Sequence, residues 1–338
     1  METQMKEALF WTRQENSICC ELCPHHCIIG EGKRGVCGVR QSKEGKLVSL
    51  NYGRIAGLAI DPIEKKPLYH FYPASKIFSV GTVGCNLHCP FCQNDTLSRF
   101  FDEYRGDETS LEWLSPPDLV NLVRQSGGIP ALAYTYSEPV VWFEYVLESM
   151  RLCHEEGIMN VLVTNGFIER EPLKEWIPFV DAANVDLKAF RKSGYHKLGG
   201  QLEPVKRTII QLFEAGVHIE ITTLLVPGIN TDLHEIEDLA RWLASLSPAI
   251  PLHLSRYFPH YHYHEHSTDI VLMKEAQEVA KQHLWHVYLG NVLAESHTFC
   301  HNCGELLIRR HGYDVEIVGL EKGKCKRCLS PLWGRYAS

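Results

Sequence analysis

The sequence predicts an α/β fold: a partial, (β/α)6-type TIM-like barrel with a small cysteine-rich lobe before it and a zinc-ribbon-like tail after it. Three observations lead there. Between residues 77 and 292, short apolar runs alternate with longer amphipathic stretches. Ahead of that region the chain is rich in Cys, Gly and His and poor in helical periodicity. Behind it stand two C-x2-C pairs. Strand–helix alternation sustained over roughly 210 residues argues for parallel βαβ units, closed or nearly closed into a barrel. The expected domains are 1–75, a metal-binding lobe; 76–297, the barrel; and 298–338, the tail.

Strands are expected at 77–83, 131–136, 160–164, 182–187, 218–225, 252–257 and 286–289. Helices are expected at 111–126, 140–156, 205–215, 233–246 and 273–283. In Asn184-Val185-Asp186-Leu187-Lys188 and Leu252-His253-Leu254-Ser255, apolar residues alternate with polar or charged ones. Strand side chains alternate faces, and helices cover the outer face of a barrel. Val185, Leu187, Leu252 and Leu254 should therefore point outward, and Asp186, Lys188, His253 and Ser255 into the lumen. A lumen usually filled by Val, Ile and Leu does not accept charge without compensation, so it reads as a site; a surface strand with one wet face is the plainer alternative.

Composition narrows the function. The 34 Lys+Arg against 41 Asp+Glu give a net charge of −7, which counts against a nucleic-acid partner. No apolar run approaches the ~18 residues of a membrane span. The opening Met1–Glu7 carries acids where a signal peptide has a basic region, so a cytoplasmic location is expected. Thirteen cysteines are many for a reducing compartment. Five lie between Cys19 and Cys37, three between Cys85 and Cys92, and four between Cys300 and Cys328. Such spacing without a signal peptide points to metal centres rather than disulfides. Cys153 shares a helix face with Val146 and Met150 and reads as core.

Directly after the first barrel strand comes Gly84-Cys85-Asn86-Leu87-His88-Cys89-Pro90-Phe91-Cys92, a C-x3-C-x2-C loop on the face where barrel active sites sit. Structural zinc takes four protein ligands. Three thiolates on so short a loop suit a [4Fe–4S] cluster with one iron left without a protein ligand. This loop on a βα barrel resembles the signature of the radical S-adenosylmethionine (SAM) enzymes. The resemblance implies that SAM chelates the free iron, that Cys85, Cys89 and Cys92 are the catalytic cluster ligands, and that reductive cleavage yields a 5′-deoxyadenosyl radical.

The resemblance continues along the barrel and implies further cofactor-binding residues. Tyr134-Thr135-Tyr136-Ser137-Glu138-Pro139 stands where the superfamily carries a Gly-Gly-Glu-type motif that holds the SAM amino group; the two glycines are missing, while Ser137 and Glu138 remain. Thr164-Asn165-Gly166 resembles the ribose-contacting turn of the glycyl-radical activases. Asp186-Leu187-Lys188 resembles their Asp-x-Lys motif near the SAM carboxylate. Gly290-Asn291-Val292 ends the last strand as the adenine-contacting turn does. His253 and Arg256 are expected at the mouth of the sixth strand, suited to a carboxylate or the substrate.

The flanking cysteines propose two more metals. Cys20, Cys23, Cys27 and Cys37 suit zinc or a second iron–sulfur cluster that feeds electrons onward. Cys19, beside Cys20, faces away if Cys20 ligates. Cys300, Cys303, Cys325 and Cys328 have zinc-ribbon spacing, for zinc or a rubredoxin-like iron. Arg309, Arg310, Lys322, Lys324, Lys326 and Arg327 make the tail locally basic, either a solvated face or a docking patch for an acidic partner or RNA. His260, His262, His264 and His266 alternate with Tyr261 and Tyr263 as a polar loop over the barrel mouth.

Taken whole, the chain resembles the radical SAM proteins of the AmmeMemoRadiSam system, relatives of the pyruvate formate-lyase activating enzymes. The match includes Leu22-Cys23-Pro24-His25, Gly35-Val36-Cys37-Gly38-Val39-Arg40 and Asp61-Pro62-Ile63-Glu64-Lys65-Lys66-Pro67-Leu68-Tyr69. It implies a flavodoxin- or ferredoxin-type reductant and a protein substrate or Memo-type or AMMECR-type partner. Two readings compete within that chemistry: modification of a small molecule or protein side chain, and glycyl-radical generation on a partner enzyme. A metal-scaffolded RNA- or protein-binding adaptor is the rival from another class.

Overall fold

The computed structural model describes residues 6–126, 131–293 and 295–337; the opening Met1–Met5 lies outside them. One eight-stranded sheet organises the molecule, with every strand beside its sequence neighbour. Its strands are β1 (Gly57–Pro62), β2 (Lys76–Gly81), β3 (Ala131–Tyr134), β4 (Met159–Thr164), β5 (Ala182–Asp186), β6 (His218–Leu225), β7 (Leu252–Arg256) and β8 (Val287–Gly290). Strands β2 to β8 run parallel, whereas β1 pairs antiparallel with β2. The sheet ends at β1 and β8 without their pairing, so the barrel is open. Gly57–Pro62, assigned by composition to the lobe, thus forms a sheet edge.

The helices on the outer face follow from local chemistry. Leu233–Leu246 starts at Asp232, whose carboxylate accepts the His234 amide at 2.9 Å. Its Ile236, Leu239, Ala240 and Leu243 recur at helical spacing and are buried against the sheet. Asp269 caps Ile270–Lys281 in the same way. The helix expected from residue 111 starts at Pro116 instead, because Ser115 caps it and proline fits only the first turn. Glu112–Trp113 pairs with Arg54–Ile55. Helices Arg170–Trp176 and Lys192–Lys197 were too short to carry a periodic signal.

The alternation along the strands divides two layers. Val185, Leu187, Leu252 and Leu254 pack outward with helix residues such as Ile209 and Leu243. Inside, Ile77, Ala131, Ala133, Val161 and Ala182 close on Ile63, Leu68 and Phe71. The segment after β1 thus plugs the lower lumen and leaves only the upper end available. Cys153 is fully buried in the outer core.

Both flanking regions grip the barrel. In the lobe, one small antiparallel sheet carries Cys19 and Cys20, with Cys23, Cys27 and Cys37 in the turns beside it, and the buried Arg40 Nη2 meets Glu144 Oε1 at 2.6 Å on helix Phe143–Glu155. The tail seals the lower end. Arg310 Nη2 donates to the Tyr69 carbonyl at 2.6 Å, and His70 Nδ1 lies 2.8 Å from the Trp333 carbonyl. Arg310 is therefore buried and structural, not part of a basic docking patch.

Candidate functional site

Strand β2 ends at Gly81, and Gly84 turns the chain with φ +95° into the three-cysteine loop. An added Cβ at Gly84 would stand 2.6 Å from Val39 and 3.0 Å from the Cys37 carbonyl, so only glycine fits this close approach. The loop is held from several sides. Arg99, 3 % exposed, donates from Nη2 to the carbonyls of Cys85 (2.9 Å) and Leu87 (2.6 Å). Asn86 Nδ2 donates to the Phe167 carbonyl at 2.7 Å, and Asn165 Nδ2 donates to Asn86 Oδ1 at 2.9 Å. The Leu87 amide points at Cys85 Sγ at 3.4 Å.

Cys85, Cys89 and Cys92 are partly exposed to a cavity at the upper mouth, formed by two recesses of about 340 and 290 Å3. The recesses share Asn94, Tyr136, Ser137, Glu138, Asn165 and Asp186. Thr164 lines one; Lys188, Ser255 and Asn291 line the other. Seven residues expected from sequence to bind cofactor therefore converge on one cavity: Ser137, Glu138, Thr164, Asn165, Asp186, Lys188 and Asn291.

Lys188 Nζ sits 3.0 Å from Asp186 Oδ2, an ion pair at the end of β5. Burial pushes the Cys89 thiol up to about 11, opposed by the neighbouring Lys188 and Arg99 cations. Burial likewise raises Cys85, helped by Glu138. These thiols need a metal or a cation to be held as thiolates at neutral pH.

Glu138 is bound internally. Its Oε1 accepts the Thr164 hydroxyl at 2.6 Å and the Val140 amide at 3.0 Å, and its Oε2 accepts the Asn165 amide at 2.8 Å. The carboxylate thereby ties β3 to the Thr164-Asn165-Gly166 turn. Burial raises its pKa to about 7 despite those donors. Tyr136, two residues earlier, adopts φ +70° where the related motif places glycine. Its hydroxyl donates to Asp61 Oδ2 at 2.8 Å, which helps to hold the strained backbone.

Two expected residues stand elsewhere. His253 does point into the lumen, but below the cavity: its Nε2 lies 2.7 Å from Glu220 Oε2 and its ring packs against Tyr69 and Tyr288. Glu220 also accepts the Tyr69 and His70 amides at 3.0 and 2.7 Å. Burial alone would raise Glu220, yet His218, His253 and these donors hold it well below the carboxylate range. Arg256 turns toward the following loop, donating from Nε to the Thr268 carbonyl at 2.8 Å.

Other residues at the cavity were not singled out as ligands. Asp61, Lys65 and Lys66 line it beside Tyr136, with Lys66 Nζ 2.7 Å from Asp61 Oδ2. The run of charges in Asp61–Lys66, next to an apolar plug, is the signal that could have found them. The histidine loop is tied to the segment that carries the three cysteines. The His262 amide donates to the Pro90 carbonyl at 2.9 Å, and His260 Nε2 meets Asp95 Oδ1 at 2.8 Å.

The three cysteine sets differ in geometry. In the tail, Cys300 and Cys328 sulfurs lie 3.5 Å apart, and Cys303 and Cys325 sulfurs 3.7 Å. A tetrahedral ion with 2.3 Å bonds to sulfur sets its ligands about 3.8 Å apart, so this set fits one ion. Among the described residues, neither Cys85, Cys89 and Cys92 nor Cys20, Cys23, Cys27 and Cys37 contract to within 4.8 Å. Cys19 and Cys20 are adjacent on one strand and so face opposite ways.

The radical SAM superfamily pattern matches residues 79–243. The uncharacterized protein MJ0808 of Methanocaldococcus jannaschii is 38% identical over 333 residues, covering 96% of this chain and 98% of that one. The pyruvate formate-lyase 1-activating enzyme of Escherichia coli K12 is 30% identical over 159 residues, covering 44% of this chain; the match spans 61% of that enzyme. The structure of Streptococcus suis SuiB bound to S-adenosylmethionine is similar with a TM-score of 0.49 at 15% identity, over 68% of this chain and 53% of that one. The chain thus carries a radical SAM domain, has relatives among the glycyl-radical activating enzymes, and over nearly its whole length belongs to the family of the methanocaldococcal protein.

Proposed function

We propose that this enzyme holds a [4Fe–4S] cluster on Cys85, Cys89 and Cys92, binds SAM in the adjoining cavity and abstracts hydrogen from a substrate at the barrel mouth. The observation that carries this reading is the three-thiol loop opening onto a cavity whose other wall presents Asp186, Lys188 and Asn165. The donor set fits the group: three thiols on one short loop, with an open side toward the cavity. The cluster that Cys85, Cys89 and Cys92 would hold would supply the single electron for reductive cleavage of SAM.

The chain's own residues bind and orient. Lys188 and Asp186 supply a fixed ion pair for the ammonium and carboxylate of SAM. Ser137 and Glu138 border the same recess, and Asn291 at the end of β8 faces the adenosine side. Ser255, at a level above His253, reaches the cavity. The loop from Tyr257 to Thr268, tied to Pro90 and Asp95, helps to exclude water from a reactive intermediate. Modification of a small molecule or a compact side chain is the first reading; glycyl-radical generation on a partner enzyme is the second, supported by the similarity to the activating enzyme. A flavodoxin- or ferredoxin-type protein is the proposed reductant, and the tail cysteines are proposed to hold zinc or iron.

Anaerobic reconstitution with iron and sulfide, followed by SAM and dithionite, should release 5′-deoxyadenosine. Undiminished release from Cys89→Ala would overturn the proposal.

A further inference from the structure

The lobe cysteines lie against the back of the three-cysteine loop. His25, between Cys23 and Cys27, places Nε2 2.6 Å from the Asn86 carbonyl. His88 Nε2 stands 3.2 Å from the carbonyl of Val36, the residue before Cys37. Gly84, the residue before Cys85, packs against the Cys37 carbonyl. Each cysteine loop thus touches the other at three separate points, all within two residues of a cysteine.

The four lobe thiols are grouped, yet not as a single ion would group them. The Cys20 amide donates to the Cys27 carbonyl at 3.0 Å and the residue before Cys37 reaches Cys27 Sγ, while the four sulfurs do not contract as the tail set does. A tetrahedral zinc would draw them to about 3.8 Å, whereas a polynuclear cluster spreads its cysteine ligands over its corners. The Val36 amide points at Cys27 Sγ at 3.5 Å, the same kind of N–H···S contact that Leu87 makes to Cys85. Such contacts tune iron–sulfur clusters. The buried Arg40 guanidinium, paired with Glu144 at 2.6 Å, lies beside Cys20 and Cys37.

We infer that Cys20, Cys23, Cys27 and Cys37 hold a second iron–sulfur cluster, which delivers electrons to the Cys85, Cys89 and Cys92 site across the His25–Asn86 and Val36–His88 contacts. This deepens the proposed function and rests on it for the acceptor. The step is a one-electron exchange: a low-potential donor protein is oxidised by one electron, the lobe cluster is reduced and then reoxidised, and the acceptor is reduced. No bond or proton moves. Electrons arrive on the side of Cys27, which is less buried than Cys20, Cys23 or Cys37 and is flanked by the exposed Ile28 and Val36.

The test uses the full chain, reconstituted anaerobically with iron and sulfide. In the triple variant Cys85→Ala, Cys89→Ala, Cys92→Ala, the expectation is about four irons with matching sulfide beyond the tail metal. Its reduced sample should show an electron paramagnetic resonance signal that SAM leaves unchanged. Zinc without sulfide in that variant would overturn the inference. Cys23→Ala with Cys27→Ala should keep a SAM-responsive signal and SAM cleavage with dithionite, but its reduction by flavodoxin should slow at least about tenfold; an undiminished rate would remove the delivery role. Should that double variant fail to fold, Cys27→Ser alone should shift the lobe signal, and an unshifted signal would count against ligation. Two clusters in a wild-type chain that does not cleave SAM would sink the proposed function while leaving the second cluster in place.

Discussion

The Thr164 hydroxyl donates to the Glu138 carboxylate at 2.6 Å, joining two strand ends that border the proposed SAM cavity. Burial nevertheless keeps the Glu138 pKa at about 7, above its ordinary 4.5. A folded-state value above the unfolded one makes the protonated chain the more stable. That contribution is full below pH 4.5 and disappears as pH rises through 7, a loss on the order of 3 kcal/mol. The melting temperature of cofactor-free protein should therefore fall between pH 5 and pH 8, and Glu138→Gln should flatten the fall. Parallel profiles for the two proteins would refute the assignment. A bound ammonium favours the carboxylate, so SAM affinity, measured anaerobically by calorimetry, should rise from pH 6 to pH 8.

Arg99 acts on the three-cysteine loop without touching the cavity. Its guanidinium serves two carbonyls of the loop and adds positive charge near Cys89. Arg99→Met should leave both carbonyls unsatisfied and cost about 3 kcal/mol in a denaturant melt. The iron retained after desalting should fall, and the potential of the remaining cluster should move negative. Arg99→Lys should recover charge but not the two-pronged geometry, restoring the potential more than the iron content. Equal behaviour of the two variants in both measurements would contradict a positioning role.

Strand alternation made much of this architecture legible. The period of two along 184–188 and 252–255 separated outward leucines from luminal polar groups, and the structure keeps that division. Depth along the lumen was not legible. His253 and Ser255 share a face, yet one pairs with Glu220 below the cavity and the other lines it. Which level a residue occupies depends on where the 63–72 plug stops, a long-range packing fact with no local pattern. The Asp61–Lys66 contribution was hidden for a similar reason, since β1 joins the sheet antiparallel, outside the βα rhythm. Arg99 gave no signal because the loop groups its Nη2 serves are backbone carbonyls, which sequence does not distinguish.

The tail should behave as a metal-dependent unit. Four sulfurs at single-ion spacing surround a small core of Leu307, Ile308, Leu320 and Leu332, too little apolar area to hold three short strands without the ion. Cys325→Ser should remove about one equivalent of metal and expose the region after residue 298 to limited proteolysis. Because Arg310 and Trp333 fasten the tail to Tyr69 and His70, the melting temperature of the barrel should also drop. A barrel that melts unchanged would show that those contacts are dispensable.

The Arg40–Glu144 pair offers the sharpest separation of anchoring from chemistry. Both side chains are almost wholly buried, and Glu144 Oε1 also accepts the Leu9 amide at 2.8 Å. Removing one partner strands a charge in the interface, so Glu144→Gln should destabilise by roughly 3–5 kcal/mol. Replacing both, Arg40→Met with Glu144→Leu, removes the stranded charge and should regain most of that loss in a urea melt. The double variant also lacks the guanidinium that faces Cys20 and Cys37. Its lobe should therefore fold yet bind iron less tightly in competition with a chelator, while the Cys85, Cys89 and Cys92 site keeps its metal. Equal loss from both sites would mean that Arg40 only supports the fold.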